Sequence, residues 1–180
     1  QIGRLDLGHT ESAVYGLRLR AGFNSVMGVN SFMIDHKHVK KLVPSIDLRE
    51  GKTMPILAAL YHPPGGVIRH DAVVWGYARA ADSLGVQLQP HTEVLDIRKD
   101  NSQVSGVYTT DGFIKSNVII NATAGWCSTI SKMVDLNLPV TTYPLQACVT
   151  EPLKPFLDKT VSSANLHVYI YQTDRGEVVI

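Results

Sequence analysis

The sequence predicts a mixed α/β fold, and three observations predict it. A helix-spaced apolar pattern over residues 71–84 stops at Gly85 and runs straight into Val86-Gln87-Leu88, the tight helix-to-strand connection of α/β units. Alternating runs over residues 93–115 are cut by Asp100-Asn101 and Asp111-Gly112, with Asp-Gly a strong hairpin signal. The continuous apolar run Val118-Ile119-Ile120 suits a strand buried on both faces, and it ends in small residues.

Taken in order, residues 1–33 mix Gly, Asn and Ser with short apolar pieces, and residues 11–21 carry enough Leu, Val and Ala for one helix. Asp35 can cap a short basic helix that Pro44 helps to stop. Residues 56–61 form a short apolar run that reads as a strand. The loop His62-Pro63-Pro64-Gly65-Gly66-Val67-Ile68-Arg69-His70 combines two residues that fix φ with two that free it. Asp71 takes the N-cap position of the next helix, along which Val74, Tyr77, Ala78, Ala81 and Leu84 recur at helical spacing.

Strands are expected over residues 93–98, 104–109, 113–115 and 118–120. The last ends in Asn121-Ala122-Thr123-Ala124-Gly125, and a helix is expected over residues 126–134. In open α/β sheets the carboxyl end of a strand is where ligands bind. Pro139 and Pro144 then break the pattern, strands resume over residues 145–150 and 167–172, and a last one begins at residue 177.

Composition narrows the function. Seventeen Lys and Arg against sixteen Asp and Glu give a formal charge of +1, which offers no electrostatic basis for binding nucleic acid or an anionic membrane. No apolar run approaches the roughly 20 residues of a membrane span, and residues 1–10 lack a signal pattern, so the expected setting is cytoplasmic. Cys127 and Cys148 are not in CxxC spacing and read as free thiols.

The stretch from Gly65-Gly66-Val67-Ile68-Arg69-His70-Asp71 through Trp75-Gly76-Tyr77-Ala78-Arg79 to Asp82 resembles the sarcosine oxidase β subunits, within the glycine and D-amino-acid oxidase family of FAD-dependent oxidoreductases. The similarity continues through Gly106-Val107, Thr109-Thr110, Gly112-Phe113-Ile114, Ala124-Gly125, Pro144-Leu145-Gln146-Ala147 and Glu151-Pro152-Leu153-Lys154-Pro155, while residues 1–55 are similar only loosely. The resemblance implies an incomplete FAD-binding-type sheet with helices, plus mixed antiparallel strands of a substrate-type domain. On that reading residues 1–60 and 136–180 are substrate-domain segments, and residues 61–135 belong to the FAD-binding-type domain.

The resemblance also assigns candidate residues. In the family the histidine that falls on His70 carries covalent FMN, while FAD occupies a separate noncovalent site. An imidazole is a competent nucleophile toward a flavin methyl group, although the residue type alone also suits a polar surface histidine beside a helix cap. Val94 falls on the strand that passes the adenine of FAD, and equally suits a core valine. Ala124, Gly125 and Trp126 fall on a small-residue turn that passes close to FAD, or form a plain strand-to-helix turn. Thr123 and Trp126 depart from the common pattern.

No GxGxxG loop occurs in these 180 residues. The expectation is therefore a fragment or truncated homologue of a flavin-dependent amine oxidoreductase acting on a sarcosine-like amine, not catalytic alone. The alternative is a non-catalytic scaffold or interaction module derived from that family. Apolar strands without partners favour a homo-oligomer or a partner subunit. Asp35, His36 and His38 form the one metal-like pattern, but Lys37, Lys40 and Lys41 repel a cation, and no metal is expected.

Overall fold

The computed structural model describes residues 2–49, 51 and 53–180. The chain divides into two compact units, one running up to His70 and resuming over Gln146–Ile180, the other spanning Asp71–Leu145.

The first unit is built on a six-stranded mixed sheet. Strand β1 (Arg4–Gly8) lies inside it, antiparallel to β3 (Ala58–His62) and parallel to β7 (Thr160–Ser163). β2 (Phe32–Asp35) flanks β3, β8 (Val168–Gln172) pairs antiparallel with β7, and β9 (Val178–Val179) follows β8, giving the order β2-β3-β1-β7-β8-β9. Period-2 alternation divides the faces. Leu5, Leu7 and Ala59 pack with Val39, Val43 and Leu157 into the buried core, in which Leu5 and Val39 are fully inaccessible.

Helix α1 (Glu11–Val26) starts where the sequence predicts and runs five residues further. Its cap is Thr10, whose hydroxyl accepts a hydrogen bond from the Ala13 amide at 3.2 Å. Gly8 makes the close approach of this helix possible, because a Cβ there would lie 2.9 Å from Val14 Cγ2 and 3.2 Å from Leu17 Cδ1. α2 (His36–Leu42) is capped by Asp35, as expected.

In the second unit α3 (His70–Ser83) begins one residue before the expected Asp71 cap, leaving Asp71 in its first turn, and is followed by Gly85 at φ +86°. Strands β4 (Val94–Asp100), β5 (Gln103–Thr109) and β6 (Gly112–Lys115) form an antiparallel meander. Asn101 and Ser102, both at positive φ, make the first hairpin turn.

Three expected strands do not form. Val86-Gln87-Leu88 and Val118-Ile119-Ile120 carry no ladder, and the latter is no doubly buried strand, with Val118 72% and Ile120 85% exposed. Hydrophobicity specifies burial only where a neighbour exists to pair with, and no strand among the described residues runs beside these segments. Over residues 145–150 only an isolated bridge joins Val149 to Val179. Conversely, the sequence predicts no strand at β1, β2 or β7: all three are four or five residues long, and β1 and β7 have few apolar positions. The helix expected over residues 126–134 is shorter, a 3-10 turn at Ala124–Trp126 leading into α4 (Cys127–Lys132).

Two substitutions separate the contributions to the first unit. Leu5→Ala empties a fully buried site and is expected to cost about 2–5 kcal/mol, whereas Thr10→Ala removes one cap and costs about 1 kcal/mol. Urea unfolding of both variants checks the order of the two effects.

Candidate functional site

The turn at Ala124–Trp126 is organised by an asparagine. Asn121 Nδ2 donates to the Cys127 carbonyl at 2.9 Å and to Ser131 Oγ at 3.1 Å. Its Oδ1 accepts from the Thr123 amide at 3.3 Å and from the Thr123 hydroxyl at 2.8 Å. One side chain thereby ties the incoming extended segment to the helix that follows. The turn closes with the Trp126 amide donating to the Thr123 carbonyl at 2.9 Å, and Thr142 Oγ1 donates to the Gly125 carbonyl at 3.0 Å.

Ala124 sits at φ +47°, a left-handed conformation that non-glycine residues visit rarely, often at functional sites. Small side chains at 122, 124 and 125 leave the main chain open to close approach, and the indole of Trp126, 73% exposed, projects away from the interior of its unit. This exposed, braced and strained backbone fits a ligand that packs against main chain, as the flavin cofactor implied by the sequence would. The sequence shows Asn121 only as part of the Asn121–Gly125 run of small residues, with nothing to mark its bracing role.

Val94 begins β4, opposite Thr109, and is half-buried. It lines a shallow concavity of about 410 Å³ with Gln87, Gln89, Thr92, Val107, Thr109 and Ile114. The turn residues Ala124, Gly125 and Trp126 do not line this concavity, so Val94 and the turn are separate features of the second unit.

His70 is the exposed first residue of α3 and ends the His62–His70 loop. That loop is pinned to the residues leading into β1, because the Gly65 carbonyl accepts from the Ile2 amide at 3.0 Å and from the Gly3 amide at 2.8 Å. A Cβ on Gly65 would lie 2.9 Å from both Cβ and the amide nitrogen of Arg4, so only glycine fits.

One cluster gave no sequence signal. Asp6 on β1 accepts Arg4 Nε at 2.9 Å and Arg20 Nη2 at 3.0 Å, and the Ser162 hydroxyl also donates to it. Arg4 and Asp6 share β1, Arg20 comes from α1, and Ser162 comes from β7 more than 150 residues away, so the full cluster meets only through the fold.

The Asp35-x-x-His38 pair is a helix cap. Asp35 Oδ1 receives the His38 amide and His38 Nδ1, each at 2.8 Å, and the backbone hydrogen bond foremost holds the carboxyl below its usual range. Among the described residues no group of three or more His, Cys, Asp or Glu side chains could hold a metal ion. No helix among them is long and apolar enough to cross a membrane.

Comparison with known proteins gives the following. The family described as FAD dependent oxidoreductase (DAO) matches residues 1–180. Sarcosine oxidase subunit beta of Rhodobacter capsulatus is 39% identical over 178 residues, covering 99% of this chain and 43% of that protein. The same subunit of Rhizobium meliloti is 38% identical over 179 residues, with 99% and 43% covered. The chain thus spans less than half the length of the curated relatives it matches. Among solved structures, L-proline dehydrogenase from P. horikoshii is similar with a TM-score of 0.78 at 26% identity, covering 98% of this chain and 47% of that one.

Two outcomes test the geometry. Asn121→Ala is expected to accelerate hydrogen exchange at the amides of Thr123 and Trp126 while leaving β1 and β3 protected; unchanged exchange at the turn would show that Asn121 does not brace it. Because the folded Asp35 carboxyl is lowered, the stability it contributes is present above its unfolded value of about 3.9. It is lost as pH falls through the lower folded value, and the His38 amide signal in an NMR titration should report fraying of α2 there.

Proposed function

The chain belongs to the DAO family of FAD dependent oxidoreductases, and from that premise we propose that it is a flavin-contacting part of an amine oxidoreductase of the sarcosine oxidase β type. The observation that carries the reading is the similarity to two such subunits along 99% of this chain. The exposed backbone at 123–126, braced by Asn121, supports it from the chain's own geometry.

In this reading Ala124, Gly125 and Trp126 offer main chain to FAD, and Val94 flanks the adenine end. His70 carries FMN covalently through an imidazole nitrogen. When bound, flavin supplies a two-electron acceptor for oxidising a small secondary amine such as sarcosine. The chain's own residues hold and orient: the left-handed Ala124 presents the turn, Asn121 keeps it from collapsing, and Gly65 fixes the loop that ends at His70. A cytoplasmic setting suits the two free thiols, Cys127 and Cys148.

A second reading, an interaction module without catalysis of its own, is favoured by α3. None of its residues is buried, and it exposes Val74, Trp75 and Tyr77 by 62, 64 and 77%. In this reading such a helix is covered by other polypeptide, for which a partner subunit or a second copy would serve. The domain division that goes with the flavin reading assigns residues 61–135 to the FAD-binding type and the flanking residues to the substrate type.

The purified protein is expected to be yellow or to take up added FAD, with FMN mass on the peptide containing His70. In His70→Ala the covalent mass disappears while noncovalent FAD is kept. A colourless protein that takes up no added flavin would count against the flavin reading and leave the interaction module standing.

A further inference from the structure

Helix α1 carries two apolar faces where the fold of its own unit uses one. Val14 and Leu17 are buried on the side that meets Gly8 of β1, and Ala21 and Asn24 lie half-buried on that same side. At about 100° per residue, Tyr15, Leu19 and Val26 fall on the opposite side, with Phe23 and, just past the helix end, Met27 at its flank. All five are exposed, from 49% at Leu19 to 86% at Val26. We propose that this outward face binds a second copy of the chain, the two α1 helices packing antiparallel about a two-fold axis between Leu19 and Gly22.

The spacing is self-complementary. Tyr15, Leu19, Gly22 and Val26 follow one another at intervals of four, three and four residues, which read the same from either end. An antiparallel copy therefore lays the row on itself, Tyr15 across from the second copy's Val26 and Leu19 across from its Gly22. At the flank, Phe23 comes across from the second copy's Gly16. A parallel pair would instead set leucine against leucine and glycine against glycine, bulk on bulk and gap on gap.

The glycines carry the same message. Glycine weakens a helix interior relative to alanine. Among the described residues nothing requires it here, because a Cβ built at Gly16 or at Gly22 meets no atom within 4 Å. Against a second helix these bare positions become holes for Phe23 and Leu19, and they allow the axes to approach to about 8 Å.

The area agrees with a stable pair. Exposed by 63 and 71%, the rings of Tyr15 and Phe23 alone leave about 250 Å² to be covered. With Leu19, Val26 and Met27 the face comes to about 600 Å², the upper end of what a monomer leaves open. Burying it on both copies gives the roughly 1,200 Å² at which stable interfaces begin. Helix α1 lies in the first unit and holds none of the residues assigned to flavin, so the pairing stands independently of the flavin reading.

Analytical ultracentrifugation of the whole chain, without added flavin, is expected to show a monomer–dimer equilibrium at micromolar concentration. Leu19→Glu buries a charge in the interface and should raise the dissociation constant at least about tenfold. Gly22→Leu should do the same by filling the hole, while its circular dichroism stays that of the folded chain, since the added side chain has open space in its own copy. Register is read by disulfide trapping in a Cys127→Ser/Cys148→Ser background. Tyr15→Cys chains mixed with Val26→Cys chains should cross-link to each other, and neither to itself. Should either interface variant lose its helical signal, the trapping pattern decides. A monomer at about 100 µM, a dimer unmoved by Leu19→Glu or by Gly22→Leu, self-linking of Tyr15→Cys chains in preference to the mixed pair, or a face covered only by a different protein would overturn the pairing.

Discussion

Strand β1 holds the first unit together. Its five residues pair on one side with Ala58–His62 and on the other with Thr160–Ser163, segments separated by about a hundred residues of intervening chain. Leu5 is fully buried in the core, Asp6 gathers Arg4, Arg20 and Ser162, and Gly8 admits α1. Alternate residues of one short strand thus serve two faces: Leu5 and Leu7 the hydrophobic one, Arg4 and Asp6 the polar one. In the sequence, the segment Asp71–Leu145 lies between two partners of β1.

The two units are stabilised differently. The first has a contiguous apolar core beneath its sheet. The second relies on the ladder of β4, β5 and β6, and among its described residues Ile97 is the one buried hydrophobic side chain. The rest of its apolar surface, along α3 and the 118–120 run, faces outward. The side-chain network of Asn121 holds the Ala124–Trp126 turn locally, with no need for a deep core behind it. That is a physical reason for the turn to keep its shape while its neighbours lack partners.

Much of this was legible in the sequence where signals are local. Thr10 and Asp35 as caps lie beside the patterns they terminate, Gly85 sits just past α3, and the Asp111-Gly112 turn separates β5 from β6. What failed was non-local. Val118-Ile119-Ile120 has the composition of a central strand, but a strand is defined by its neighbours, and composition carries no information on whether they are present. β1 was missed for the converse reason, since RLDLG looks unremarkable until β3 and β7 flank it. Of the candidate site, Ala124-Gly125 showed as small residues at a strand end, whereas the bracing role of Asn121 and the Arg4–Asp6–Arg20 cluster depend on contacts that only the folded chain makes.

Central to the proposed function is a flavin-contacting role for the backbone around Ala124 and Gly125. Hydrogen exchange by mass spectrometry, with and without added FAD, tests it most directly. The account predicts added protection in peptides covering residues 121–127 and the start of β4 at Val94, with the β1–β3 ladder unchanged. Protection spread evenly over the chain, or none at residues 121–127 when FAD is demonstrably bound, would contradict it.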